Sequence, residues 1–165
     1  MPADASLLVE VELLEGAPLP DVDELEDGER IELAAAKKER GNWFYVRSDH
    51  ESAVGVYAKG IKFLEDFPPK SPKAAEAKAL AAKLHGNLAN CHHKLGNDAL
   101  VLEQCAKSLA IEPGNSKALY WQATIQAKRN DTEAAIKTIK TLLQHDPQNA
   151  SARSLLQVSM EIKQS

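Results

Sequence analysis
Few residues in this sequence have the chemistry of a reactive site. Cys91, His92 and His93 are consecutive, and thiol with imidazole is a ligand set that zinc accepts. Consecutive residues on a helix point about a quarter-turn or more apart, however. No second Cys/His pair completes a tetrahedral set, so no metal is expected. No Ser/His/Asp order, phosphate-cradling glycine loop or paired acid site stands out, so neither a catalytic centre nor a cofactor is expected. What remains is the chemistry of amines and amides. Lys38 and Asn42 lie four residues apart, as do Lys117 and Trp121, and on a helix each pair shares a face.

Those faces need elements to carry them. The chain has 165 residues, 44% hydrophobic and 27% charged, enough apolar material for one core. No apolar stretch approaches the roughly 20 residues of a membrane helix, and the first residues lack the order of a signal peptide. Cys91 and Cys105 are the two cysteines; a helical core does not require a disulfide, so packed thiols in a reducing, cytosolic compartment are expected. The net charge of -4 is unevenly spread: residues 1–32 hold eleven acids against Arg30 alone, which leaves residues 33–165 at +6. Residues 6–14, SLLVEVELL, alternate partly as a strand does. Gly16, Pro18 and Pro20 then break regular structure, and the acidic run DVDELEDGE reads as a solvated linker.

From Glu29 the apolar spacing becomes helical and repeats every 34 residues, the period of helix-turn-helix repeats. Residues 116–149 are the clearest unit. With Ser116 as position 1, Leu119, Ala123, Ala135, Ile139 and Pro147 take positions 4, 8, 20, 24 and 32. Residues 82–115 repeat that frame, with Leu88, Ala89, Gly96 and Pro113 at 7, 8, 15 and 32. A first unit begins near Ala34, with Gly41, Phe44, Ala53 and Tyr57 at 8, 11, 20 and 24. Its second helix is expected to run on through Phe63 and Leu64 to the PPKSP break. Residues 73–95, rich in alanine and leucine, predict an extended first helix for unit two. Ala152, Leu155, Leu156 and Ile162 give a last helix one apolar face with which to seal the stack. The expected fold is all-α, three such repeats and a capping helix over residues 29–165, behind residues 1–28.

The segments ERIELAAAKKERGNWFY, LHGNLANCHHKLG and KALYWQA resemble the tetratricopeptide-repeat domain of the larger FKBP-type immunophilins, the membrane-anchored branch most of all. The resemblance covers about four-fifths of the chain and implies a right-handed superhelix. It makes residues 6–14 similar to the last strand of the FKBP isomerase domain. The rest of that domain, with its proline-binding pocket, is not in the sequence, so isomerase activity is not expected here. In such repeats the first helices line a groove, and the groove positions supply Lys38, Asn42, Lys83, Asn87, Asn90, His93, Lys94, Lys117 and Lys128. Chaperone-binding relatives hold a peptide's carboxylates in a clamp of lysine, asparagine and arginine. Here the matching positions are Lys38, Asn42, Asn87 and Lys117, with Trp121 in place of arginine. Ammonium groups meet the carboxylates and amides fill the remaining hydrogen-bonding sites.

The implied function is that of a protein-interaction adaptor, binding the acidic C-terminal tail of a cytosolic heat-shock chaperone beside a tethered FKBP domain. The alternatives are a fragment of an isomerase whose repeats regulate or dimerise it, and the same groove with an internal or helical peptide as guest. Nucleic acid is disfavoured, because aromatics to stack bases are few and lysines lack the arginine fork. The location is expected to be cytoplasmic, without membrane contact by this chain; the parent protein could be tethered by a segment after Ser165. Leu119 and Ala123 take the packing positions on their helix, so Trp121 is expected to face the groove. Tyr120 would extend its aromatic surface and shift the groove toward a guest with an apolar residue beside its acid.

Overall fold
A computed structural model describes Pro18 and residues 20–165. The expected strand over residues 6–14 lies outside the described residues. After a short 3-10 turn at Val22–Glu24 come seven helices: α1 (Asp27–Val46), α2 (His50–Lys62), α3 (Ala74–Lys94), α4 (Asp98–Ile111), α5 (Ser116–Lys128), α6 (Thr132–His145) and α7 (Ala150–Gln164). Each of the pairs α1/α2, α3/α4 and α5/α6 is a hairpin. Successive hairpins pack chiefly by the second helix of one on the first helix of the next, α2 on α3, α4 on α5 and α6 on α7, with the first helices also touching in turn, into one superhelical all-α stack.

The turns repeat as faithfully as the helices. Position 15 of the three units is Ser48, Gly96 and Asn130, and all three take left-handed backbone angles, with φ of 62°, 77° and 63°. The next residue opens the second helix. Asp49 and Asp131 accept a hydrogen bond from the backbone N–H three residues on, as Asn115 and Asn149 do at the starts of α5 and α7. Such caps satisfy one of the orphan donors of a helix's first turn.

Each hairpin closes by seating a side chain of its second helix against a small residue of its first. A Cβ on Gly41 would stand 2.3 Å from the Tyr57 ring, so only glycine admits that ring. Ala89 and Cys105 occupy the same two positions in unit two, and Ala123 and Ile139 in unit three; all four are fully buried. Both cysteines are free thiols, and burial pushes Cys91 up to about 11 and Cys105 up to about 12, values at which neither ionises near neutrality.

Positions 3 and 10 face the preceding hairpin. Leu84 and Cys91 of α3 enter the core of repeat one, and Ala118 and Ile125 of α5 enter that of repeat two. Ala152 and Ser159 of α7 are likewise buried. The closing helix thus uses the same interlock, but it seals only with its first half, because Val158, Met160 and Ile162 stay exposed, Ile162 at 56%. The expected role of Ile162 in the seal is therefore incorrect: no following helix reaches it among the described residues.

Two further differences fall around repeat one. Helix α2 ends at Lys62, and Phe63 and Leu64 are buried in a turn instead of continuing the helix. Arg30 fixes that turn, donating from Nε to the Phe63 carbonyl (2.8 Å) and from a guanidinium N–H to that of Glu65 (2.6 Å), with its guanidinium over the Phe67 ring. The lone base of the acidic leader thus serves the carbonyl end of α2. Helix α1 begins at Asp27, and Val22 and Leu25 pack on the first core cluster, so the acidic linker is partly laid against repeat one.

The turn geometry predicts opposite effects at equivalent positions. A non-glycine residue in the left-handed region costs about 1–2 kcal/mol, and nothing crowds a Cβ at Gly96. Ser48→Gly should raise stability by about 1 kcal/mol, or roughly 2–4 °C in Tm, and Gly96→Ala should lower it by a similar amount. Unchanged melting in both variants would contradict the assigned backbone conformations.

Candidate functional site
The layer of first helices carries the basic and amide residues. Lys38 and Asn42 stand on α1, Asn87 on α3, Lys117 and Trp121 on α5. Lys117 Nζ donates to Asn87 Oδ1 at 3.0 Å, joining repeats two and three. Its stem crosses Gly86, where a Cβ would stand 3.6 Å from Lys117 Cδ. Lys117 is exposed along its length, yet the side chains around its ammonium lower its pKa by desolvation, opposed by Cys91 and reinforced by Lys38. Lys38 also has an acid beside it, Glu39, at 3.6 Å. Asn42 is held from behind: the buried Tyr57 hydroxyl donates to its Oδ1 at 2.5 Å, which leaves the amide N–H groups to donate elsewhere. Burial raises the Tyr57 pKa, so this donor stays protonated.

The secondary groove residues divide. Lys128 is paired with Asp98 Oδ2 at 2.9 Å, so it links repeat three to the start of α4. Lys83 and Lys94 are exposed, and Asn90 and His93 are half-buried. The His93 ring lies on the Trp121 indole, centroids 4.2 Å apart. Its pKa is lowered, first by burial and then by Lys94 and Lys128, while Asp98 opposes them. Trp121 does not stand clear of the core as expected. Leu119 and Ala123 belong to the third core cluster, whereas Trp121 leans on the second, which is shared with repeat two, and meets Tyr120 edge-on at 5.2 Å. It remains half-buried, with part of the indole open beside Lys117's helix face.

Among the described residues no three His, Cys, Asp or Glu side chains gather as a metal site, and no helix is long and apolar enough to cross a membrane. Two contributors escaped the sequence reading. Tyr57 was legible as a packing residue at position 24, but its reach to Asn42 shows only once Gly41 lets the ring in. Asp98 gave no signal, because its partner is 30 residues away in the next repeat.

Residues 97–158 match the tetratricopeptide-repeat family. The chain is 30% identical over 162 residues to the bovine (Bos taurus) peptidyl-prolyl cis-trans isomerase FKBP4, a match covering 98% of this chain and 35% of that protein. It thus spans about a third of the length of this curated relative, and its described residues are repeat helices with no isomerase domain among them. The C-terminal TPR-containing domain of a Plasmodium falciparum FK506-binding protein superposes with a TM-score of 0.76 at 20% identity, covering 87% of this chain and 97% of that one. The first TPR of Spaghetti (RPAP3), bound to the HSP90 peptide SRMEEVD, superposes at 0.67 and 22% identity, covering 80% and 96%. The repeat period, the hairpin interlock and these likenesses converge: the chain is a tetratricopeptide-repeat domain with homology to FKBP4.

Proposed function
We propose that this domain is a co-chaperone adaptor that holds the acidic C-terminal tail of a cytosolic heat-shock chaperone against its layer of first helices. The observation that carries this reading is the Lys117–Asn87 hydrogen bond at 3.0 Å, which sets an ammonium and an amide of adjacent repeats side by side on the layer of first helices that also carries Lys38 and Asn42. Ammonium groups gathered on one layer attract a carboxylate, which would gain charge-assisted hydrogen bonds there. Asn42 and Asn87 are oriented to donate to its remaining oxygen lone pairs. The Spaghetti repeat domain, similar in fold, holds a peptide ending in such acids.

Trp121 sets the character of the guest. Arginine would offer a planar fork, whereas indole offers one N–H and an apolar face stacked on His93. The guest is therefore a tail with an apolar residue beside its acid, bound more weakly than a full clamp would bind a doubly acidic one. In this reading the domain works in the cytoplasm as part of a longer immunophilin that carries an isomerase domain of its own.

Lys38→Ala and Lys117→Ala should each weaken binding of an SRMEEVD peptide about ten- to a hundredfold, the worth of a charge-assisted hydrogen bond. Their melting temperatures should barely move, since exposed groove cations add little to stability. Fluorescence anisotropy together with thermal melts separates this outcome from equal loss of both, which would make the lysines structural. Tyr57→Phe keeps the ring and removes the hydroxyl; it should lower stability by about 1 kcal/mol and weaken the peptide severalfold by releasing Asn42. Trp121→Arg should tighten SRMEEVD, whose last residue bears two carboxylates, and weaken a peptide whose last residue is apolar and so bears its α-carboxylate alone. Unchanged affinity for both peptides would place Trp121 outside the site.

A further inference from the structure
The side chain that lies against Trp121 is an imidazole, the group whose ordinary pKa is nearest neutrality. His93 stands half-buried on α3, its ring 4.2 Å from the indole and tilted 32° to it. Its Nδ1 is buried and has no hydrogen-bond partner, so no bond to that nitrogen holds the ring in one protonation state. The charges set against it come from three helices: Lys94 on α3 itself, Asp98 at the start of α4 and Lys128 at the end of α5. The one acid among them is already paired with Lys128 at 2.9 Å. Burial and the two lysines therefore favour the neutral ring.

A guest changes that balance. Lys117 and Trp121 stand one turn apart on α5, about 6 Å, and Lys117 is bonded to Asn87 of α3. An acidic segment laid over Lys117 and the indole brings its carboxylates within roughly a Debye length of the His93 ring. Negative charge at that range favours the imidazolium. By linkage, a guest that raises the ring's affinity for a proton is itself held more tightly once the proton is there.

We propose that His93 couples the groove to pH: an acidic guest draws a proton from solvent onto its ring, and the site holds that guest more tightly at about pH 6 than at about pH 7.5. This rests on the reading of the groove as a site for acidic tails and adds the regulation of that site. The other histidines of α3 have different surroundings. His85 is bonded to Gln104 at 2.7 Å, with Lys107 and Glu65 facing it, and His92 is buried with Glu103 facing it.

The test uses the full chain with Trp43→Phe, which leaves Trp121 as its one tryptophan. An imidazolium stacked on an indole quenches its fluorescence, so Trp121 emission between about pH 5 and 8 reports the protonation of His93. Emission should fall in one step as the pH drops. Saturating SRMEEVD should move that step to higher pH, and so should Lys128→Gln, which removes a facing cation and frees Asp98. Calorimetry in cacodylate and in Bis-Tris, whose ionisation heats differ, should show fractional proton uptake on binding at about pH 6, with affinity about threefold higher there than at about pH 7.5. His93→Gln should remove the step, the uptake and the pH dependence together. Peptide binding without proton uptake, at equal affinity at both pH values and with an unmoved step, would overturn the proposal and leave the carboxylate site standing. Uptake that persists in His93→Gln would do the same, because another group would then be titrating. Absence of peptide binding at either pH would overturn the reading of the groove and this proposal with it.

Discussion
Everything in this domain hangs on the fit of a ring or branched side chain against a residue that is nearly all backbone. Gly41 is the extreme case, with no room for a methyl group beside the Tyr57 ring; Ala89 with Cys105 and Ala123 with Ile139 are its milder copies. The close approach of the two helices in each hairpin sets the tilt that the next hairpin inherits. Three first helices, whose units begin 48 and then 34 residues apart in sequence, therefore present one face in space. Packing and recognition are continuous here, since the hydroxyl of the ring that Gly41 admits is the group that orients Asn42.

The electrostatics follow from that geometry. A rigid stack can present lysines and amides from separate repeats on one layer because each is anchored by its own helix. Lys117 is steadied by Asn87 and set over the bare backbone of Gly86. At the other edge Asp98 pairs with Lys128 across the repeat boundary, beside the stacked Trp121 and His93 rings.

The periodicity of the sequence located the hairpins, the extended α3 and the closing helix, because position in a repeat determines which way a residue points. Boundaries came within a few residues. What escaped were relations between repeats and at the ends. Phe63 and Leu64 look helical by composition, yet Arg30 draws the carbonyls of Phe63 and Glu65 into a turn. Ile162 continues an apolar pattern with nothing to cover it. Trp121 has groove register, but its breadth carries it onto the core of repeat two. Lys128 reads as a groove cation until Asp98 is seen across the repeat boundary. A single helix's pattern assigns a face; it does not name the neighbour that face meets.

If the lysines and amides of the first helices serve a terminal carboxylate, calorimetric titration of the chain with SRMEEVD bearing a free C-terminus, and with the same peptide amidated, separates the two peptides. Amidation should remove about tenfold or more of the affinity, with the difference shrinking as salt rises. Equal affinity for the two peptides, at any salt concentration, would contradict it.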